Sequence, residues 1–216
     1  MPATASSSRA STRIGVLASG GGSNLQAILD YFRDHPGSAN VVLVVSNKAG
    51  SGALDRARAA GIAATVVSPA DGAAIRALFE AHRVDLVVLA GYLKLVPTVV
   101  TQTWRGRVLN VHPALLPSFG GPGMYGLRVH AAVIASGALV SGTTVHFVDE
   151  MYDHGPIAAQ ETVPVVPGDT PETLAARVLE LEHRLYPRVI AAVAAGRIRL
   201  ADDGHVVGAL VGTASL

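Results

Sequence analysis

Between residues 13 and 112 the chain alternates short, almost unbroken Val/Leu/Ile/Ala runs with stretches of helical apolar spacing, and few folds accommodate that pattern. The runs fall at 14–18, 41–45, 63–67, 86–90 and 107–112. Helices are predicted over 23–33, where Leu25, Ile28 and Leu29 share one face, and over 52–60 and 73–82. A strand that is apolar at every position is buried on both faces, so it belongs to a parallel sheet covered on each side. The predicted fold class is α/β, with a mostly parallel, twisted sheet and helices on both faces.

Beyond the fifth run lies a loop over 113–127 that holds Pro117, Gly120, Gly121, Pro122, Gly123 and Gly126. Loops of that length inside a compact domain are usually functional or mobile. A helix over 128–136 and strands over 143–148 and 157–165 follow. Thr170-Pro171 offers an N-cap with proline in the first position, and the helix it starts continues to Ala195 with a kink expected at Pro187. Gly196 closes that helix, and 197–200 with Val206 and Val207 form a small hairpin. With no internal repeat and no linker, residues 13–216 read as one domain behind a disordered tail over 1–12, rich in Ala, Ser and Thr.

Half of the residues are hydrophobic and 15% are charged, so a sizeable core is easy to build. A net charge of +1 gives no reason to expect nucleic acid or a membrane surface as partner. The absence of cysteine excludes disulfides, thiolate metal sites and a cysteine nucleophile. No apolar run approaches the ~20 residues that span a bilayer, and a cytoplasmic location is the default. His130, His146 and His154 lack any His-Glu-x-x-His spacing, so no metal is expected. No Gly-x-Ser-x-Gly elbow of a serine hydrolase is present.

The segment Asn110-Val111-His112-Pro113 ends the fifth strand. Side chains alternate along a strand, so Asn110 and His112 share a face at the carboxyl end of the sheet, where ligands bind in open α/β folds. An amide donor beside an imidazole suits a developing oxyanion and a proton in transit. Asp153, in Tyr152-Asp153-His154-Gly155-Pro156, is a carboxylate able to orient the imidazole and to raise its pKa above ~6.5. The plainer readings are a capping Asn, a buried His satisfied by a neighbour and an Asp in an ordinary turn. Glu182 and His183 lie within the long helix, where charged residues usually form a solvated face.

Ala18-Ser19-Gly20-Gly21-Gly22-Ser23-Asn24-Leu25 joins the first strand to the first helix. Glycines admit a ligand close to the backbone, and a helix start presents free N–H groups to phosphate. The turn is neither a dinucleotide fingerprint, since Leu25 replaces the third glycine, nor a P-loop. A tight strand-to-helix turn with no ligand stays open as the other reading.

With these residues in view, the sequence resembles the phosphoribosylglycinamide formyltransferase family, folate-dependent enzymes of purine synthesis with a Rossmann-like fold. The resemblance rests on Gly22-Ser23-Asn24-Leu25-Gln26-Ala27-Ile28, Ser46-Asn47-Lys48-Ala49, Leu89-Ala90-Gly91-Tyr92 and Asn110-Val111-His112-Pro113-Ala114-Leu115-Leu116-Pro117. It continues through Gly142-Thr143-Thr144-Val145-His146-Phe147-Val148, Asp153-His154-Gly155-Pro156 and Glu182-His183-Arg184-Leu185-Tyr186-Pro187.

The resemblance implies catalysis by Asn110, His112 and Asp153, and a ribonucleotide held by Gly22, Ser23, Asn24 and Glu182, with His130 bordering the same site. It further implies a folate pocket formed by Leu93, Lys94, Leu95, Val96, Asn110 and Val148, and a cis bond at Leu116-Pro117. The co-substrate implied is 10-formyltetrahydrofolate, with no metal. The partners implied are small molecules rather than nucleic acid or membrane, and a homodimer is left open. Two departures stand out: Ser68 where the family commonly carries Arg near the folate tail, and a longer loop over 120–129. Formyltransferases acting on methionyl-tRNA or sugar nucleotides, a folate-deformylating hydrolase and a nonenzymatic binding module are the rival readings. A further domain after the last helix is expected of the first, and one before the first strand of the hydrolase.

Overall fold

A computed structural model describes residues 11–208 and 210. In chain order it contains β1 (Thr12–Ala18), α1 (Ser23–Asp34), β2 (Ala39–Ser46), α2 (Gly52–Ala59), β3 (Ala63–Val66), α3 (Gly72–Ala81), β4 (Leu86–Leu89) and α4 (Thr98–Thr103). There follow β5 (Val108–His112), α5 (Leu127–Ala135), β6 (Val140–Phe147), β7 (Ile157–Pro164), α6 (Pro171–Ala194), β8 (Arg199–Leu200) and β9 (Val206–Val207).

Seven strands form one sheet in the order β3-β2-β1-β4-β5-β6-β7, parallel from β3 to β5 and antiparallel at β6 and β7. The chain starts in the middle, moves outward to β3, then returns to the other side of β1. That reversal opens a crevice beyond the carboxyl ends of β1 and β4. Strand alternation sends Val16, Val44 and Val88 to one face, against Leu25 and Ile28 of α1, Leu54 of α2 and Leu185 of α6. Leu17, Val45 and Val87 face the other side, against Ile75 and Phe79 of α3 and Val100 of α4. Helices thus cover both faces, and this is why the central strands carry no polar interruption.

Several boundaries differ from the sequence reading. Strand β1 already includes Thr12, whose N–H donates to Ser38 O at 3.1 Å and which pairs with Ala39, so Thr12 belongs to the sheet and not to a tail. The rest of the expected tail, apart from Ser11, lies outside the described residues. Helix α4 was not expected, because Thr98-Val99-Val100-Thr101 is β-branched and reads as strand. Burial decides it: Val100 and Trp104 enter the core, and Trp104 Nε1 donates to Val84 O at 2.8 Å. Strand β6 starts three residues before the predicted 143. Gly142 there is a requirement of close strand approach, since a Cβ would run into the carbonyl of Glu161 on β7. Helix α6 continues through Pro187 as one helix of 24 residues. Its start carries a reciprocal capping box between Thr170 and Thr173. The Leu116-Pro117 bond is cis. Among the described residues no helix is long and apolar enough to cross a membrane.

Candidate active site

A cleft of about 420 Å³ opens at the carboxyl ends of the parallel strands, within the range of small-molecule sites. Its wall takes Leu93, Lys94, Leu95 and Val96 from the segment after β4, and Asn110 and His112 from the end of β5. Val148 and Asp153 come from the turn after β6, and Asn24 of α1 and Glu182 of α6 also line it. The loop over 121–126 supplies a further side, so the glycine-rich segment is part of the site.

The antiparallel β5–β6 pair sets Asn110 opposite His146 and His112 opposite Thr144. Asn110 Nδ2 lies 3.1 Å from His146 Nε2, while His146 Nδ1 lies 2.9 Å from Phe147 O. A carbonyl only accepts, so Nδ1 carries the hydrogen and the neutral ring offers a bare Nε2 to the amide of Asn110. His112 follows the same logic. Its Nε2 lies 2.9 Å from Phe119 O and must donate, which leaves Nδ1 bare when the ring is neutral.

Asp153 reaches these residues from a turn where its own φ is +52°, a left-handed conformation that Asp tolerates better than most residues. Its Oδ2 lies 3.5 Å from His112 Nδ1 and its Oδ1 lies 3.7 Å from His146 Nε2. The Gly121 N–H donates to Oδ2 at 2.9 Å and takes the closer contact. Asn110, His112 and Asp153 therefore do converge on one cleft, joined by His146, which sequence reasoning had weighed only as a metal ligand. Its role depends on cross-strand register, which no local pattern encodes.

The sequence reading gave His112 a raised pKa; the fold reverses the sign. With only 3% of its surface exposed, burial pushes its pKa below 6.5, against the pull of Asp153 and the Phe119 carbonyl. At 3.5 Å the carboxylate offers attraction without a short hydrogen bond, and that does not offset desolvation. His146 is also lowered by burial, and His130 by burial and by the neighbouring His112.

Helix position alone suggests a solvated face for Glu182, whereas the resemblance puts it in the substrate site; it lines the cleft and is only 6% exposed. It accepts a 2.6 Å hydrogen bond from Asn24 Nδ2, and burial pushes its pKa up to about 7 despite that bond. Asn24 Oδ1 is buried with no partner among the described residues. Gly22, at φ +77°, is the N-cap of α1; Gly22 and Ser23 precede Asn24 but are not on the cleft wall. His130, on α5, is buried behind the wall with its Nδ1 unpartnered among the described residues. Ser68 is also off the wall. Among the described residues no group of three or more His, Cys, Asp or Glu is disposed to hold a metal ion.

Known proteins resemble this chain over most of its length. The formyl transferase family model matches residues 12–190. The chloroplastic phosphoribosylglycinamide formyltransferase of Arabidopsis thaliana is 47% identical over 200 residues, covering 89% of this chain and 68% of that protein. The Vigna unguiculata protein of the same name is 45% identical, covering 89% of this chain and 64% of its own length, so the chain spans about two thirds of these plant relatives. Among solved structures, glycinamide ribonucleotide transformylase 1 from Symbiobacterium toebii superposes with a TM-score of 0.84 at 42% identity, covering 92% of this chain and 94% of that one. A family match that takes in both Asn110 and Asp153, with a shared fold at this identity, means that the chain belongs to the phosphoribosylglycinamide formyltransferases, a family of formyl-transferring enzymes.

Proposed function

We propose that this enzyme transfers the formyl group of 10-formyltetrahydrofolate to the amine of glycinamide ribonucleotide in de novo purine synthesis, by direct attack without a covalent enzyme intermediate. The observation that carries the reading is the convergence of Asn110, His112 and Asp153 on one cleft with no protein nucleophile among them. The amine of the substrate attacks the formyl carbon and an oxyanion develops; its collapse breaks the bond to folate N10, which takes up the proton the amine gives up, and tetrahydrofolate leaves. Asn110 donates to that oxygen through the amide N–H not held by His146. His112 donates through Nε2–H, which the formyl oxygen takes over from Phe119 O. Asp153 favours protonation of His112 at Nδ1, the nitrogen facing it, as negative charge builds up.

The wall suits both ligands. Leu93, Leu95, Met151 and Tyr152 are 40–53% exposed around the cleft, an apolar rim that a flat aromatic folate would cover. In this reading Leu93, Lys94, Leu95, Val96, Asn110 and Val148 hold the folate. Gly22, Ser23 and Asn24 hold the phosphate, Glu182 and the free Asn24 Oδ1 take hydroxyl groups, and His130 backs His112 rather than touching substrate. The partners are these small molecules, and the compartment is the cytoplasm; the chloroplastic label belongs to the plant relatives.

The test offers the purified protein 10-formyltetrahydrofolate with glycinamide ribonucleotide, with methionyl-tRNA, or with water as sole acceptor. Formyl transfer to the ribonucleotide is expected, with little release of tetrahydrofolate in its absence. Faster formylation of the tRNA, or release without an acceptor, overturns the assignment.

A further inference from the structure

The turn over 20–22 is gripped from behind by the start of α2. The Gly20 carbonyl accepts from Ser51 Oγ at 2.8 Å and from the Ala53 N–H at 3.2 Å. The Gly21 carbonyl accepts from Arg56 Nε at 2.9 Å, and the same guanidinium donates through Nη1 to Gln26 Oε1 of α1 at 3.0 Å. Gly22 sits so close behind them that a Cβ would lie 2.7 Å from Ala53 Cα.

A peptide unit is planar and trans, so its C=O and N–H point to opposite sides. The Gly20 carbonyl shares a unit with the Gly21 N–H, and the Gly21 carbonyl with the Gly22 N–H. Fastening both carbonyls to α2 turns both N–H groups away from it. Neither N–H has a hydrogen-bond partner among the described residues.

We propose that Ser51 and Arg56 are positioning residues for anion binding, holding the Gly20 and Gly21 carbonyls so that the Gly21 and Gly22 N–H groups stay aimed at the substrate's phosphate. The inference rests on the phosphate reading of this turn. Neither residue lines the cleft: Ser51 is buried beneath the turn, and Arg56 spends two donors on protein oxygens. Arg56 is suited to this because its rigid fork reaches two acceptors at once, which a lysine ammonium on a flexible stem does not reproduce.

The test compares Ser51→Ala, Arg56→Ala, Arg56→Lys and Gly22→Val in the full chain, reading KM for glycinamide ribonucleotide, KM for the folate and kcat at saturation. Ser51→Ala and Arg56→Ala should each raise the ribonucleotide KM about fivefold to tenfold, with folate KM and kcat within twofold of wild type. Arg56→Lys should leave most of the defect in place. Full restoration by Lys would mean that charge alone suffices, and an equal loss for both substrates would mean a general packing defect; either overturns the proposal. If Gly22→Val raises the ribonucleotide KM while both clamp variants leave it unchanged, the phosphate reading stands and the clamp falls. If none of the four variants changes it, both fall together.

Discussion

Asn110 and His146 are cross-strand partners whose side chains meet at 3.1 Å, so the tautomer of the ring fixes which end of the amide faces it. Under the proposed mechanism, replacing Asn110 removes an oxyanion donor, whereas replacing His146 only frees that donor to rotate. Asn110→Ala should lower kcat on the order of a hundred- to a thousandfold. His146→Ala should lower it about tenfold, the scale of one hydrogen bond. Steady-state rates at saturating substrates check the ranking, with circular dichroism to confirm folding. Turnover near wild type in Asn110→Ala would remove it from the mechanism.

Asp153 pulls the His112 pKa upward while burial, the larger influence, pushes it down. Asp153→Asn keeps the shape and removes the pull, so the His112 pKa should fall further below 6.5 and kcat should drop with it. NMR titration of the imidazole in both proteins measures this. An unchanged or higher pKa in the variant would show that Asp153 is not its electrostatic partner.

Glu182 gives a stability signature of the opposite sign. Its folded pKa is raised to about 7 from 4.5, so its stabilising contribution is complete below about pH 4.5 and disappears as pH rises through 7. Glu182→Gln removes the buried charge, and Asn24 can turn its free Oδ1 to the new amide. The gain in Tm over wild type should therefore be larger at pH 8 than at pH 5.5. A constant difference across that range contradicts a buried, ionisable Glu182.

Three buried imidazoles, His112, His130 and His146, have pKa values lowered from 6.5 by burial, so each holds its proton less readily in the fold than in the unfolded chain. Unfolding exposes them at about 6.5, so the unfolded chain binds more protons below that pH. Stability should be flat from this source above about pH 6.5 and fall progressively as pH decreases toward the folded pKa values. Melting curves in the Glu182→Gln background isolate the effect. A Tm that stays constant from pH 7 to pH 5 in that background would count against it.

The Gly22 conformation, φ +77° with Ala53 at its back, leaves no room for a side chain. Gly22→Val should weaken ribonucleotide binding by more than tenfold while leaving folate binding close to wild type. Calorimetric titration with each ligand separates the two, and equal weakening in a folded variant would assign the turn a purely structural role.

The parallel half of the sheet was readable because burial on both faces writes itself as continuous apolar runs such as Val41-Val42-Leu43-Val44-Val45. Helix α4 was not, since its β-branched residues favour strand and only the seating of Val100 and Trp104 in the core decides otherwise. Asn110 and His112 could be paired from alternation alone, because they sit two residues apart on one strand. His146 could not, because it meets Asn110 through pairing 36 residues away. The signs for His112 and Glu182 depend on burial, which belongs to the assembled fold, whereas charge partners can be guessed from sequence.

The loop that follows β5 is tied down at its start. Thr144 Oγ1 accepts from the Leu116 N–H at 3.0 Å and donates to Ala114 O at 2.7 Å, and Gln160 Nε2 donates to Leu116 O at 2.9 Å. The last bond from the loop to Asp153 is made by Gly121. Chain added between Gly121 and Leu127 thus lies outside every contact that aligns the reacting groups, and its closure penalty grows only by about 0.6 kcal/mol per doubling of length. Evolution, or an engineer, has here a segment whose length can drift without loosening Asn110, His112 and Asp153, so that the side of the cleft it forms can be reshaped separately from them.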